Sequence, residues 1–426
     1  MYFIYNIAVY VASIFAKIIA VFNKKLALFV SGRKDVFTKL KDSFDEGDKV
    51  IWFHCASLGE FEQGRPIIEK IKSQIPNPKS QFFGFKILVT FFSPSGYEVR
   101  KNYTVADLVT YLPLDTKKNV KKFVAIINPA MAIFVKYEFW PNLLRELKRK
   151  QIKTILVSGI FRENQTFFKG YGGWIRKSLT TFDHFFVQNE LSVKLLKTIG
   201  FKNVTLSGDT RFDRVYEITK QKIKLDFVEQ FKDNKTTLIA GSTWPKDETL
   251  LIDFINSRSK DSHFSGNDRY IIAPHNINPQ NIEKLKQIII KKTVLYSEKE
   301  SKDLSEYEVL IIDTIGILTQ IYKYGDIAYV GGGFGSGIHN VLEPATFGIP
   351  IIIGPNYQKF NEAKDLVNLK ACVSVKTKIE FERVLDLLFN DDEMRKNKGN
   401  IAKNYILDNI GSTEKIMRYI TKRLSV

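Results

Sequence analysis

The chain has 426 residues, 44% hydrophobic and 26% charged, a composition that can bury a large core and excludes bulk disorder. Two cysteines and five scattered histidines exclude a disulfide scaffold or a four-cysteine metal site and argue against a multi-histidine metal centre. Lys and Arg (64) outnumber Asp and Glu (46), and the net charge of +18 favours polyanionic partners such as nucleic acid, anionic lipid or phosphorylated substrates. The alternative is that the charge serves only solubility.

The first predicted element is an apolar helix over residues 1–22, in which Lys17 is the one charged side chain. The stretch is long enough to cross a membrane, and no basic region precedes it as in a signal peptide. Its polar residues, however, fall on one narrow stripe of the helix, formed by Asn6, Tyr10, Ser13, Lys17 and Lys24. This pattern favours a helix that lies in an anionic membrane interface. Two alternatives are a spanning helix with its basic flank in the cytoplasm and a helix packed on a neighbouring domain.

From residue 49 onward, short β-branched runs alternate with helical patterns, which predicts parallel α/β sheets. The alternation pauses around 208–220, and we expect a linker there. Two α/β halves predict a cleft between them, with ligands at the carboxyl ends of strands. The predicted strands are 50–55, 87–92, 108–112, 131–135, 154–158 and 185–188 in the first half, and 237–240, 270–273, 294–296, 309–312, 327–330 and 350–353 in the second.

Two strand-end loops of the first half carry candidate catalytic groups. Glu60 follows the first strand at the predicted start of a helix, where it could act as a general base or simply satisfy the helix N-terminus. Lys136 and Glu138 alternate along the end of the strand at 131–135, which predicts that both side chains share one face. A solvated ion pair is the alternative for these two residues.

The second half contains a glycine-rich loop, with five glycines at 331–337. Glycines permit a ligand to approach the backbone closely, and a helix predicted to begin near Val341 would direct its N-terminus at a phosphate. Glu343 would then suit ribose hydroxyls, whereas the alternative is a tight structural turn. The P-loop and the dinucleotide fingerprint are both absent from the sequence, and so is any D-x-D, so a metal-chelated diphosphate is not indicated.

Taken in order, a series of short motifs resembles the 3-deoxy-D-manno-octulosonic acid (Kdo) transferases of lipopolysaccharide assembly. The resemblance covers roughly residues 1–365, and its more specific parts are HN-x-LEP and S-x-GE. The motifs are ASLGE (56–60), FFSPSG (91–96), YLPLD (111–115), EFWPN (138–142), SGDTRFD (207–213), GST (241–243), DTIG (313–316) and HNVLEPA (339–345).

The resemblance implies an α/β fold with two Rossmann-like domains facing across a cleft (the GT-B arrangement) and an N-terminal membrane-associated helix. It implies a helix over 1–30, an acceptor-binding domain over 31–214 and a donor-binding domain over 215–426, whose last helix could pack back on the first. The implied reaction is inverting transfer of Kdo from CMP-Kdo to the tetra-acylated lipid A precursor (lipid IVA), without metal or cofactor. It takes place at the cytoplasmic face of the inner membrane, where anionic lipid and not nucleic acid is the expected partner.

The resemblance also implies roles for individual residues. Glu60 is the implied base, and Glu138, Lys136 and Arg211 complete the expected catalytic set. The residues expected to hold CMP are Ser242, Pro274, His275, Asn276, Ile315, Gly316, Ile317, Gly337, Ile338, His339, Asn340 and Glu343.

This sequence departs from the family pattern at several of these positions. Lys136 stands where the family usually has Glu, Arg211 where it has Lys, His275-Asn276 where it has Arg-His, and Ile317 where Glu is common. A two-domain transferase that uses a UDP-sugar is therefore the alternative enzyme. A basic nucleic-acid-binding protein and a non-catalytic membrane-associated protein are the alternatives of other classes.

Overall fold

The structure is a computed structural model that describes residues 1–258 and 268–424. The chain divides into two compact units, the first formed by Met1–Asp213 with Ile410–Val426 and the second by Arg214–Asn409. Each unit is built on one parallel sheet of seven strands. Both are doubly wound, as the alternation of apolar runs and helical patterns predicts.

The sheet of the first unit has the order β3-β2-β1-β4-β5-β6-β7. Its strands are β1 (Lys49–Cys55), β2 (Phe85–Phe91), β3 (Leu108–Tyr111), β4 (Met131–Val135), β5 (Lys153–Gly159), β6 (His184–Val187) and β7 (Val204–Leu206). The helices are α1 (Tyr2–Ile19), α2 (Lys24–Ser31), α3 (Val36–Ser43), α4 (Leu58–Gln74), α5 (Pro94–Arg100), α6 (Lys117–Ile127), α7 (Pro141–Arg149), α8 (Gly173–Leu179), α9 (Glu190–Thr198) and, from the end of the chain, α19 (Ser412–Leu424).

The sheet of the second unit has the order β10-β11-β9-β8-β12-β13-β14. Its strands are β8 (Thr236–Thr243), β9 (Asp268–Pro274), β10 (Thr293–Leu295), β11 (Val309–Ile311), β12 (Ile327–Val330), β13 (Ile351–Ile353) and β14 (Cys372–Ser374). Its helices are α11 (Asp226–Lys232), α12 (Pro245–Arg258), α13 (Pro279–Ile288), α14 (Leu318–Ile321), α15 (Leu342–Thr346), α16 (Asn361–Asn368), α17 (Lys378–Asn390) and α18 (Asp392–Asn409).

The central strands are buried on both faces, because helices cover each sheet from both sides. All five residues of β4 and all four of β12 are buried, which explains why near-continuous apolar runs located these strands in the sequence. Ile416, Met417 and Ile420 of α19 belong to the hydrophobic core of the first unit. The last helix of the chain therefore completes the unit that the chain begins with.

The chain passes from the first unit to the second between Asp213 and Arg214, inside the expected linker, but residues Thr210–Thr219 there form helix α10 and not a loop. Phe212 and Val215 on this helix are buried. The side chain of Asp209 accepts a hydrogen bond from the backbone N–H of Arg211 at 2.9 Å, which satisfies a free donor at the helix start. Because the remaining face of α10 carries charged residues, the sequence of this amphipathic helix resembles that of a linker.

Helix α1 has 18 residues and none of them is fully buried. Among the residues that the structure describes, it is the one helix long and apolar enough to cross a membrane by length and composition.

Candidate functional site

The candidate base and the glycine-rich loop lie at the topological switch points of the two sheets. In the first unit the chain leaves β1 to build β2 and β3 on one side, then returns to place β4 on the other side of β1. The second unit repeats this pattern with β8 and β12. Loops that follow the two strands of a switch point diverge and leave a crevice, where open α/β sheets bind their ligands. Glu60 follows β1 and Lys136 follows β4, so the first switch point holds both.

Glu60 lies in the first turn of α4 and is buried, with 6% of its surface exposed. The hydroxyl of Ser57, the residue before α4, donates to its Oε2. Its other oxygen, Oε1, lies 3.8 Å from Nζ of Lys136. One carboxylate oxygen is thus held by a hydroxyl while the other faces a cation.

The alternation of Lys136 and Glu138 predicted that both residues continue the strand, but they do not. Strand β4 ends at Val135, and Lys136 adopts the left-handed conformation with φ +74°. Its backbone N–H still donates to the carbonyl of Val157 on β5 at 2.9 Å, which anchors the turn. The turn, and not strand alternation, brings Lys136 to Glu60. Tyr137 lies between Lys136 and Glu138, and burial and the neighbouring Glu60 charge raise its pKa.

Glu138 contacts a buried histidine that sequence reasoning did not select. Its carboxylate accepts the indole N–H of Trp140 at 2.9 Å and lies 3.7 Å from Nε2 of His54. His54 is fully buried in β1. Its position inside an apolar strand gave no functional signal, because a core histidine has the same pattern.

His54 also contacts Thr90 through its other ring nitrogen. The Thr90 hydroxyl accepts the indole N–H of Trp52 at 2.8 Å, so its own proton is free to be donated. Nδ1 of His54 lies 2.9 Å away, nearer than the carbonyl of Phe53 at 3.4 Å. The Thr90 side chain thus holds the His54 ring with its other nitrogen, Nε2, toward Glu138.

Arg211 is fixed by an acid beside it in the chain. Its Nη2 and Nε lie 2.8 and 3.0 Å from Oδ2 of Asp209. The side-chain amide of Gln63, one turn beyond Glu60 on α4, donates to the same oxygen at 3.5 Å. The backbone carbonyl of Gln63 accepts a hydrogen bond from the hydroxyl of Thr210. The structure therefore ties the start of α10, which carries Arg211, to α4, the helix that carries Glu60.

In the second unit, the glycine-rich loop after β12 packs its backbone against neighbouring loops. A Cβ at Gly331 would lie 2.4 Å from the carbonyl oxygen of Ser242, and one at Gly333 would lie 2.6 Å from Cα of Gly354. At Gly335, by contrast, the nearest atom would be 3.5 Å away. Packing within the unit thus accounts for Gly331 and Gly333, while Gly335 remains open to a ligand.

Asp247 organises this loop, and sequence reasoning missed it. The carboxylate is buried and accepts the backbone N–H groups of Gly332 at 2.8 Å and Trp244 at 2.9 Å, and the hydroxyl of Tyr329. It joins the loops after β8 and β12, the two strands of the second switch point. Its signal in the sequence was weak, since an acid in the first turn of a helix is commonplace.

Both predicted donor-side histidines, His275 and His339, form an aromatic cluster with Trp244. The rings of Trp244 and His275 are stacked with centroids 4.5 Å apart, and His275 lies 4.6 Å from His339. The indole N–H of Trp244 donates to Nε2 of His339 at 3.2 Å. Burial, followed by the nearby charge of His275, lowers the pKa of His339, which keeps this nitrogen available as an acceptor.

Glu343 is held in place by two donors. Its carboxylate accepts the amide of Asn340 at 3.0 Å and the hydroxyl of Thr319 at 2.8 Å. The helix expected near Val341 is only five residues long, and Pro344 lies within it. Its predicted start is confirmed, since Val341 directly precedes its first residue, and the direction of its N-terminus at a phosphate stays a prediction.

The other predicted donor-side residues lie at or just beyond the carboxyl ends of β8, β9 and β11, or in the glycine-rich loop after β12. Their exposure differs: Ile315 is 82% exposed, whereas Ile338 is buried, so that only the backbone of Ile338 can meet a ligand. The residues are Ser242 (φ +55°), Pro274, Asn276, Gly316 (φ +100°) and Ile317, with Gly337 (φ +143°) in the glycine-rich loop. Over residues 1–258 and 268–424, no three His, Cys, Asp or Glu side chains are grouped so as to hold a metal ion.

Comparison with known proteins identifies the family. Residues 31–214 match the model of the 3-deoxy-D-manno-octulosonic-acid transferase (kdotransferase) family. The 3-deoxy-D-manno-octulosonic acid transferase of Aquifex aeolicus is 30% identical over 351 residues, which cover 82% of this chain and 87% of that protein. The transferase of the same name from Rickettsia bellii is 25% identical over 93% of this chain and 92% of its own length.

Solved structures agree on the fold. UDP-GlcNAc 2-epimerase from Neisseria meningitidis matches with a TM-score of 0.59 at 13% identity, over 88% of this chain and all of that one. At this identity the match shows a shared two-domain α/β architecture and nothing of the substrate. The sequence relatives carry the assignment: the chain belongs to the Kdo transferase family of glycosyltransferases.

Proposed function

We propose that the protein transfers Kdo from CMP-Kdo to a hydroxyl group of lipid IVA, with inversion at the anomeric carbon and without a metal ion. The observation that carries this proposal is the placement of Glu60, a buried carboxylate at a switch point, 3.8 Å from Lys136. A carboxylate whose geometry is fixed from both sides suits the removal of a proton from an alcohol.

In the proposed reaction, Glu60 takes the proton of the acceptor hydroxyl while the hydroxyl oxygen bonds to the anomeric carbon of Kdo. The bond between that carbon and the phosphate oxygen breaks on the opposite face, and CMP departs with the electron pair. Ser57 orients Oε2 of Glu60 through its hydroxyl, and Lys136 stands beside Oε1. Fixed groups of this kind need no reorganisation when the proton moves.

The cations of the first unit would meet the anionic groups of the reactants. Lys136 and Arg211 each already contact an acid, Glu60 and Asp209, so their positions are set before a substrate binds. A single leaving phosphate can be neutralised by such side chains and by backbone N–H groups, which is why a metal is not required in this proposal.

The donor would bind to the second unit, at the switch point between β8 and β12. Glu343 and Asn340 form a preset acceptor–donor pair for ribose hydroxyls. The open backbone at Gly335 and Gly337 would approach the phosphate, and Trp244 with His275 offers a ring surface beside it. These are the loops that the family resemblance implies for CMP.

We also propose a location at the cytoplasmic face of the inner membrane. The support is the exposed apolar surface of α1 and the basic residues that follow it, before the first acid at Asp35. An acceptor that carries acyl chains and phosphates suits both features.

The test is an assay with CMP-Kdo generated in situ and lipid IVA, read by mass spectrometry of the lipid. Glu60→Gln should lower turnover by on the order of a hundredfold or more while CMP binding persists. Glu69→Gln, on the same helix but 40% exposed and paired with Arg65, is the matched control and should keep normal turnover. Turnover of wild-type size in Glu60→Gln would remove the base assignment.

The same assay tests the need for a metal, and thermal unfolding tests the identity of the donor nucleotide. Turnover should survive treatment with EDTA, and a loss restored by a divalent cation would contradict the metal-free reaction. CMP should raise the melting temperature and UDP should not. The reverse result would favour the alternative enzyme that uses a UDP-sugar.

A further inference from the structure

Helix α1 is attached to the first unit through the side chains of its first turn. The hydroxyl of Tyr2 donates to Oδ1 of Asn142, and the hydroxyl of Tyr5 donates to Oδ2 of Asp115 at 2.7 Å. The amide of Asn142 donates to Oδ1 of Asn6 at 3.0 Å. The carboxylate of Asp115 also accepts two backbone N–H groups at the start of α7, at 3.0 and 2.9 Å. The N-terminal end of α1 is therefore seated on the folded unit.

The segment that follows α1 returns to the same unit. Arg33, two residues after α2, donates to the carbonyls of Leu112 at 2.9 Å and Phe92 at 2.7 Å. Its guanidinium lies 3.7 Å from the ring centre of Phe29 on α2, and the ring of Phe29 meets that of Phe92 edge to face. Helices α1 and α2 also contact each other along the way. Both ends of residues 2–33 are thus held by one folded body.

The surface of this segment that faces away from the unit is apolar with a basic edge. Three lysines at positions 17, 24 and 25 are exposed, and no acid occurs before Asp35. Such a surface fits the interface of a bilayer with anionic headgroups. The exposed apolar side chains are Phe3, Ile4, Ile7, Val11, Ile14, Phe15, Ile18, Ile19, Val21 and Phe22.

We propose that α1 and α2 form a monotopic hairpin that lies in the plane of one leaflet and does not cross the membrane. An 18-residue helix is about 27 Å long, close to the ~30 Å of a hydrocarbon core. If α1 crossed, Phe22 would emerge on the side opposite Tyr2. The seven residues from there to Phe29 are mostly helical and cover about 10 Å, too little to return across the bilayer.

This inference rests on the membrane location proposed above, and the first experiment tests both. The full chain carries a fluorescent maleimide on Phe3→Cys, Val11→Cys or Phe22→Cys and is bound to phosphatidylethanolamine–phosphatidylglycerol vesicles. Native Cys55 and Cys372 are buried and should remain unlabelled. Depth-dependent quenching should place all three labels at one shallow depth, within about 10 Å of the headgroup boundary. A Val11 label near the bilayer centre with shallow end labels would overturn the hairpin, whereas failure to bind vesicles would overturn the membrane location as well.

The second experiment determines sidedness in cells that express the full chain. Phe3→Cys, at the N-terminal end of α1, and Glu163→Cys, on the folded part of the first unit, are both exposed and are treated with a membrane-impermeant maleimide. We expect both to be protected in intact cells and both to react after permeabilisation. Labelling of Phe3→Cys in intact cells, with Glu163→Cys still protected, would show that α1 crosses the membrane and leave the proposed location intact.

Discussion

Substitution of Gly333 tests whether the glycine-rich loop serves packing or ligand approach at that position. A Cβ there would lie 2.6 Å from both N and Cα of Gly354, so two backbones must separate to admit it. The N–H of Asn356 also donates to the carbonyl of Gly333 at 2.9 Å, which limits the movement available. Overpacking of this kind costs about 1–3 kcal/mol. At about 2–4 °C per kcal/mol for a unit of this size, Gly333→Ala should lower the melting temperature by about 2–12 °C.

The matched control lies two residues along the same loop. At Gly335 the nearest atom to an added Cβ is the carbonyl oxygen of Gly332 at 3.5 Å, an ordinary contact. Gly335→Ala should change the free energy of unfolding by less than about 0.5 kcal/mol. Thermal unfolding of the full chain measures both variants, and titration with CMP measures whether an open glycine at 335 is needed by the ligand. Equal melting temperatures for the two variants would refute the packing argument.

Two further predictions concern the first unit. His54→Leu removes the imidazole ring that faces Glu138 and should lower kcat by about ten- to a hundredfold, with CMP binding unchanged; equal kcat would deny His54 a positioning role. Burial raises the pKa of Asp115 from 3.8 to about 6, so the folded chain binds a proton here more tightly than the unfolded chain does. Its stabilising contribution, up to about 3 kcal/mol, is then complete below pH 4 and lost as the pH rises through 6. The melting temperature of wild type relative to that of Asp115→Asn, whose side chain does not titrate, should therefore fall as the pH rises from 4 to 7, and a difference independent of pH would contradict the shift.

Buried parallel strands are visible in the sequence because both of their faces are apolar. All twelve predicted strands overlap observed ones, and the two that escaped prediction, β7 and β14, have three residues each and lie at the sheet edges. At an edge a strand is covered only in part, as at Val204–Leu206, where no position is fully buried. Short runs with mixed polarity then look like loops.

The candidate site was predictable where a motif lies next to the strand that positions it, as for Glu60. It was not predictable where a role depends on contacts between distant residues. Asp247 receives the N–H of Gly332 from 85 positions away, and His54 reaches Glu138 through a fold that spacing cannot show. Lys136 was selected for the wrong reason, because strand alternation cannot foresee a left-handed turn.

The position of α19 has a consequence for synthesis of the chain. Its Ile416, Met417 and Ile420 belong to the core of the first unit, yet the ribosome makes them only after the whole of the second unit. The second unit can fold during synthesis, whereas the first unit lacks α19 until then and keeps part of its core exposed. Nascent chains cut before residue 410 would carry a complete second unit and an unfinished first one, the reverse of the usual order in which the N-terminal part of a protein matures first.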